Sequence, residues 1–265
     1  MSKTVLITGA SQGSGKATAL LFARKGYNVV LAARNGDKLE IAAEAVRKLG
    51  GSALAIATDV THFQQVENLV QKSLEFYNTI DVLVNNAGIC LSGPVEQTSL
   101  EDWQNIINTN LWGYIHTIHT LLPHFLQRDR GTIVNIGSFG GKMPLPEMTA
   151  YCASKYAVTG LTESLRLELA KTNIQVGIVH PGVIDSDFLD RAQFRGKNEA
   201  EINNRRQQMT QMLESSVVSQ PEDIAKAIWE VVSQKQKDIV VGPAVVATEA
   251  YRLFPGLVQT MIAKR

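Results

Sequence analysis

Residues 4–15 read Thr4-Val5-Leu6-Ile7-Thr8-Gly9-Ala10-Ser11-Gln12-Gly13-Ser14-Gly15. The first five are β-branched or apolar without alternation, the pattern of a strand buried on both faces. Glycines at 9, 13 and 15 then interrupt it, and helix formers follow over residues 15–25. A strand that runs through a glycine-rich turn into a helix is the opening of a βαβ unit.

The rest of the chain continues that unit. Strand-like runs at 28–32, 54–57, 82–85, 132–136, 175–179 and 238–241 alternate with helical patterns. Those patterns cover 37–48, 63–77, a long stretch from Ser99 toward Leu122, 151–171 and 221–233. Ser99 and Asp102 form a capping-box pattern at the head of the long one, and Pro221 suits a first helical turn. Counting the first strand, seven apolar strands alternate with helices. The expected fold is α/β, a doubly wound parallel seven-stranded sheet with helices on both faces, of Rossmann type. No linker, repeat or low-complexity tract divides the 265 residues, so one domain is expected.

Two segments break the rhythm. Residues 187–214 are polar and charged, show no strand, and follow a Pro-Gly turn, where a substrate lid would lie. Residues 248–265 form a C-terminal extension of apolar residues around Pro255. Packing on the core or on a neighbouring subunit is the plain expectation for it, with a pocket wall or a membrane-surface contact as alternatives.

Composition narrows the function classes. A net charge of +1 gives no electrostatic case for nucleic acid or an acidic membrane surface. Two cysteines, Cys90 and Cys152, are too few for a disulfide framework and have no zinc spacing around them. His116 and His119 lack further ligands, so no metal site is expected. No apolar run reaches the length of a membrane span, and no secretory signal opens the chain, so the expected compartment is cytoplasmic.

The glycine turn lets main chain approach a pyrophosphate, and the helix behind it presents free N–H groups and a positive dipole end. In such folds an acid at the tip of the second strand holds the ribose hydroxyls of NAD. Here that tip reads Leu31-Ala32-Ala33-Arg34-Asn35, with no carboxylate. The Arg34 guanidinium suits an additional phosphate, so the expected cofactor is NADP. Asp37 reads as the N-cap of the next helix. Further along, Tyr151 and Lys155 stand four residues apart, on one helix face. A neighbouring cation lowers a phenol's pKa toward neutrality, which makes such a pair usable for acid–base work.

Taken together, these features resemble the short-chain dehydrogenase/reductase family over residues 3–242. The family's TGxxxGxG turn is matched by Thr8, Gly9, Gly13 and Gly15. Its adenine-side acid is matched by Asp59, followed by Val60, and its NNAG segment by Asn85, Asn86, Ala87 and Gly88. Asn110, Ser138 and the Tyr151/Lys155 pair match its catalytic set. Pro181 and Gly182 match its Pro-Gly turn, with Ile184 and Ser186 at the nicotinamide-contacting positions beyond.

The resemblance implies hydride transfer between NADP(H) and a carbonyl or secondary alcohol of a small, partly apolar molecule. Tyr151 would exchange the substrate proton, with Lys155 lowering its pKa and holding the nicotinamide ribose. Ser138 would polarise the carbonyl, and Asn110 would hold a water in a relay to Lys155. The cofactor would lie along Gly9, Ser11, Gln12, Gly13, Ser14 and Gly15, with Asp59 and Val60 at the adenine and Asn86, Ala87 and Gly88 beneath it. Ser14 replaces a frequent isoleucine, and Ser186 a usual threonine. The first substitution suggests looser packing at the nicotinamide ribose; the second keeps the hydroxyl. A homodimer or homotetramer through the fourth and fifth helices is implied as well. A non-catalytic NADP-binding regulator and an epimerase or dehydratase are the competing readings.

Overall fold

The computed structural model describes residues 2–183, 192–213 and 218–263. Ile184, Ser186 and the start of the expected lid therefore lie outside the described residues. The opening strand is β1 (Thr4–Thr8), and the turn leads into α1 (Gly13–Arg24). Then follow β2 (Asn28–Ala33), α2 (Gly36–Lys48), β3 (Ala53–Ala57), α3 (Phe63–Tyr77) and β4 (Val82–Asn85). After a two-residue strand β5 (Leu91–Ser92), α4 (Leu100–Ile107) passes through a π-helical turn, Asn108–Trp112, into α5 (Gly113–Arg128). The second half holds β6 (Gly131–Ile136), α6 (Thr149–Glu168), β7 (Ile174–Pro181), a two-residue β8 (Gln193–Phe194), α7 (Glu199–Leu213), α8 (Pro221–Gln234) and β9 (Asp238–Val241). Helices α9 (Ala244–Leu253) and α10 (Pro255–Ala263) close the described chain.

Seven strands form one parallel sheet in the order β3-β2-β1-β4-β6-β7-β9. The order reverses between β1 and β4, so the connections from these two strands leave toward opposite faces of the sheet. A crevice opens at their carboxyl ends, the usual ligand site of doubly wound sheets. The strands carry apolar side chains on both faces. Val5 and Ile7 of β1 join a core with Phe22, Leu39 and Ile228 beneath α1, α2 and α8. Leu6 points the other way, into a core with Leu69, Leu121 and Leu165 beneath α3, α5 and α6. One period-two strand thus feeds two cores, which is why its sequence shows no alternation. Phe22, Tyr27 and Trp229 meet edge to face, with centroids 5.1–5.9 Å apart, and fasten α8 to α1.

Several expected boundaries move. The capping box at Ser99 and Asp102 is formed, but the helix continues through Pro123 to Arg128. A proline removes one N–H and crowds one turn, and this helix stops only at Asp129, in left-handed backbone. Helix α6 starts two residues before Tyr151 and gives way after Glu168. Asn35, not Asp37, caps α2, its side-chain oxygen accepting from Lys38 N at 2.9 Å. Asp37 falls in the first turn, where its charge still suits the helix dipole. Residues 187–214 do contain a strand: β8 pairs in parallel with β5, Leu91 with Gln193 and Ser92 with Phe194. Two residues are too few to leave a period-two signature. Of the expected places for the C-terminal extension, the core of this chain does not take α10, which has no buried residue and lies against α9; packing on a neighbouring subunit is untouched by this. Leu253, Phe254, Leu257 and Met261 are exposed there.

Candidate active site

The turn between β1 and α1 is shaped by main-chain clearance. Gly9 and Gly13 have positive φ, +66° and +53°, which side chains other than glycine rarely adopt. A Cβ added at Gly15 would lie 2.2 Å from the carbonyl oxygen of Gly9. Helix α1 has no side-chain cap at Gln12 and no acid in its first turn. Its N-terminal N–H groups are therefore left for an anion. Asn86 closes the turn from β4. Its Nδ2 donates to the carbonyls of Thr8 (3.0 Å) and Gly9 (3.2 Å), while its Oδ1 accepts from Ser14 Oγ at 2.8 Å. Ser14 therefore puts a hydrogen bond to Asn86 where an apolar side chain would stand. Thr8 Oγ1 accepts from both Asn86 N and Ala87 N, each at 3.0 Å.

A cavity of about 180 Å³ runs from this turn over the tips of β2 and β3. Gly9, Ser11, Gln12, Arg34, Asp59, Val60, Ala87 and Gly88 line it, as expected. So do Asn35 and Lys38, which were not foreseen. Lys38 Nζ lies 3.5 Å from Gln12 Oε1, so two cations, Arg34 and Lys38, stand where a ribose-binding acid is absent. The signal was available: Lys38 stands four residues after Arg34, at the opening of a helix. The Asp59 carboxylate accepts from Thr61 N at 3.0 Å and Thr61 Oγ1 at 2.8 Å, which fixes its orientation. Glycine main chain, an uncapped helix start and two cations form a donor set that fits the phosphates of a nicotinamide dinucleotide.

A second cavity, about 380 Å³, shares Gln12, Gly88 and Ile89 with the first and extends over the ends of β4, β6 and β7. Ser14, Asn86, Ser138, Tyr151, Lys155, Pro181 and Gly182 line it. Its remaining wall is largely apolar: Phe139, Leu145, Pro146, Met148, Val183 and Met209. Met209 comes from α7, inside the segment expected as a lid, although the sequence did not single out this residue.

Helix α6 brings Tyr151 and Lys155 to the cavity on one face. Both are buried, as is Ser138 at the end of β6. Lys155 Nζ donates to the carbonyl of Ile136 at 2.8 Å and lies 6.0 Å from the Tyr151 ring centroid. Burial pulls the Lys155 ammonium down to about 8. Burial also raises the Tyr151 phenol above its ordinary value, and its hydrogen bond with Ser138 only partly offsets this. Desolvation thus sets the direction of the Tyr151 shift, while the Lys155 ammonium is engaged with a main-chain carbonyl.

Asn110 sits behind the cavity, fully buried in the π-helical turn. Its Oδ1 accepts from Ile89 N at 2.8 Å, and its Nδ2 donates to Ile89 O and Ser154 Oγ, each at 3.0 Å. The extra residue of a π-turn swings this side chain inward, a distortion common at functional sites. Cys90 and Cys152 are both buried, and burial raises both thiols, Cys90 to about 12. His116 is engaged with the Val60 carbonyl and His124 with Ile80 N and Arg128. Tyr114 is core, its hydroxyl donating to Ile136 O, while Trp112 is exposed.

The segment after the Pro-Gly turn is tied to the body by two arginines. Arg195 makes a paired contact with Asp102, Nε to Oδ2 at 2.9 Å, and holds that carboxyl below its usual range. Arg205 of α7 pairs with Glu147, in the loop that carries Leu145 and Met148 into the cavity wall.

Comparison with known proteins agrees with this geometry. The family model described as short chain dehydrogenase matches residues 3–195. An uncharacterized oxidoreductase of Listeria monocytogenes is 37% identical over 191 residues, 71% of this chain and 77% of its own length. The 3-oxoacyl-(acyl-carrier-protein) reductase of Staphylococcus epidermidis is 33% identical over 240 residues, 90% of this chain and 95% of its own. Among solved structures, a short chain dehydrogenase/reductase from Burkholderia phymatum in complex with NAD superposes with a TM-score of 0.86 at 28% identity, covering 95% of each chain. An actinorhodin polyketide ketoreductase variant with NADPH gives 0.79 at 29% identity, covering 91% of this chain and 95% of its own. Sheet order, glycine turn and matched relatives agree that this chain belongs to the short-chain dehydrogenase/reductase family of oxidoreductases.

Proposed function

We propose that this protein is an NADP(H)-dependent dehydrogenase or reductase acting on the carbonyl or secondary alcohol of a partly apolar molecule. The observation that carries the reading is the convergence of Ser138, Tyr151 and Lys155 on an apolar cavity continuous with the glycine turn. The nicotinamide, when bound, supplies or accepts the hydride. The chain positions the reactants and manages one proton. Tyr151, kept protonated by burial, donates its phenolic proton to the substrate oxygen in the reductive direction. Ser138 donates a hydrogen bond to the same oxygen and stabilises its developing charge. Lys155 steadies the Ile136 carbonyl and places a cation beside the cofactor ribose site. The Asn110 side chain braces the Ile89 turn, so a relay water would be held by its main chain rather than its amide.

The choice of NADP rests on Arg34 and Lys38, because the solved relatives hold either cofactor. An apolar substrate portion is supported by Leu145, Pro146, Met148 and Met209, with α7 as a lid above them. No helix among the described residues is long and apolar enough to cross a membrane. The exposed apolar side chains Trp112 and Leu126 on the long helix and Leu167 on α6 support a homo-oligomer joined through these helices, which light scattering tests.

The deciding experiment pairs cofactor titration with turnover. Nicotinamide fluorescence should show NADPH binding more tightly than NADH. Tyr151→Phe should bind NADPH normally while losing turnover across a panel of aryl ketones and aldehydes by about 1,000-fold, within the usual range for a general acid. Unchanged turnover in Tyr151→Phe would reject the reading, and tight binding without wild-type turnover would favour a non-catalytic NADP-binding protein.

A further inference from the structure

The residues around Ser138 are pinned in succession. The Ile136 carbonyl accepts from Lys155 Nζ and from Tyr114 Oη, and Gly137 N donates to Val179 O at 2.8 Å. The carbonyl of Ser138 accepts from Gly141 N at 2.9 Å and also from a side chain, His180 Nδ1, at 3.0 Å. His180 lies near the end of β7, paired in register with Val240, and is wholly buried. Its ring fills the space beside Gly137: a Cβ added there would come within 2.6 Å of Nδ1.

The contact fixes the tautomer. A carbonyl only accepts, so Nδ1 carries the proton. Nε2 has no hydrogen-bond partner among the described residues and faces Asp238 Oδ1 at 3.6 Å. Asp238 is in turn held by Lys142 Nζ at 2.9 Å, from the loop that follows Ser138. His180 and the Asp238–Lys142 pair thus grip the loop at two points. A wholly buried imidazole with one nitrogen unpaired is a costly choice for strand packing, because an aliphatic side chain would fill the site without that penalty.

We propose that His180 is a positioning residue for the reaction, with Nδ1–H holding the main chain of Ser138 so that its hydroxyl meets the substrate oxygen. The inference rests on the reading of Ser138 given under Proposed function. Position matters at this scale, since a displacement of about 1 Å can lower a rate about 100-fold.

The test compares His180→Leu and His180→Asn with the wild type and Ser138→Ala, using NADPH and a neutral aryl ketone that the wild type reduces. Asparagine places an amide N–H where Nδ1 was; leucine fills the volume and donates nothing. The expected result is a kcat about 100-fold lower in His180→Leu with NADPH binding unchanged, and recovery to within about fivefold in His180→Asn. A role in packing alone predicts the reverse order, since asparagine leaves part of the volume empty. Ser138→Ala at wild-type rate would sink the reading of the site and this inference with it. Ser138→Ala inactive with His180→Leu fully active would sink this inference alone. Nitrogen-15 spectra of histidine-labelled protein, with the His180 signals assigned by their loss in His180→Asn, give a readout independent of turnover. Protonation at Nδ1 alone at pH 7 is expected, and an Nε2–H tautomer would overturn the proposal.

Discussion

The cofactor side of the crevice and the substrate side are held by different forces. On the cofactor side the constraint is main chain against main chain: Gly15 packs so closely on Gly9 that even a methyl group would overlap a carbonyl oxygen. Thr8, Ser14 and Asn86 then stitch β1, α1 and β4 together at 2.8–3.2 Å. On the substrate side, β8 and α7 are held by a two-residue ladder, two arginine–carboxylate pairs and an apolar cluster in which Phe194, Ile202 and Met209 pack with Leu91, Ile106 and Tyr151. Main-chain packing leaves the cofactor cradle one geometry, whereas the side-chain packing and partly exposed ion pairs of the substrate cover can open and reclose.

The comparison breaks most sharply at Gly15. Gly15→Ala should abolish measurable NADPH affinity, about 100-fold or more, because overpacking costs about 3 kcal/mol where only backbone could yield. Normal nicotinamide fluorescence in this variant would show the cradle to be as adaptable as the cover. Next in size is Arg195→Leu, which leaves the mostly buried Asp102 carboxylate without its cation. Denaturant melts should lose about 2 kcal/mol, and the substrate KM should rise while NADPH binding stays as in the wild type. A loss of NADPH affinity would mean that the two sides are mechanically coupled. Arg34→Ala is smaller, because the side chain is exposed: about a tenfold loss of NADPH affinity with NADH unaffected. Lys38→Ala should act in the same direction, and a preference for NADH in the wild type would overturn the reading of this pair.

The smallest effect is on the acid limb. Arg195 holds the Asp102 carboxyl below its usual range, so near pH 4 the unfolded chain binds a proton that the folded chain does not. The pair's contribution is therefore complete above the unfolded value and fades as pH falls through the folded one. Melting temperatures of the wild type and Asp102→Asn should differ at pH 7 and converge in acid. A gap that stays constant with pH would assign the contact to packing instead of charge.

Much of the cradle was legible because its determinants are local. Thr4 to Gly15 states a buried strand, a turn that only glycine allows and a helix start within a dozen residues. Tyr151 and Lys155 declare a shared face by their spacing alone. The cover was legible as a segment, residues 187–214, but not in its contacts. Leu91 and Gln193 pair across about a hundred residues in a ladder too short to have a period, and no spacing links Arg195 to Asp102 or Met209 to the cavity. The Tyr151 phenol shows the same boundary within the catalytic group. Its neighbour Lys155 could be read from the sequence, but its desolvation could not, and desolvation decides the direction of the shift.

By itself, then, the sequence determined the alternation of strands and helices, the glycine turn and the shared face of Tyr151 and Lys155, since these depend on backbone preference and on residues a few positions apart; Asn110 and Ser138 were marked only by the resemblance to the family. Tertiary structure alone decided that Lys38 joins Arg34, that Asn110 is spent on Ile89, that His180 reaches Ser138 and that Met209 is the side chain by which α7 reaches the cavity. These depend on which side chains packing brings within hydrogen-bonding distance and how far it removes them from water, quantities that no local pattern of residues records.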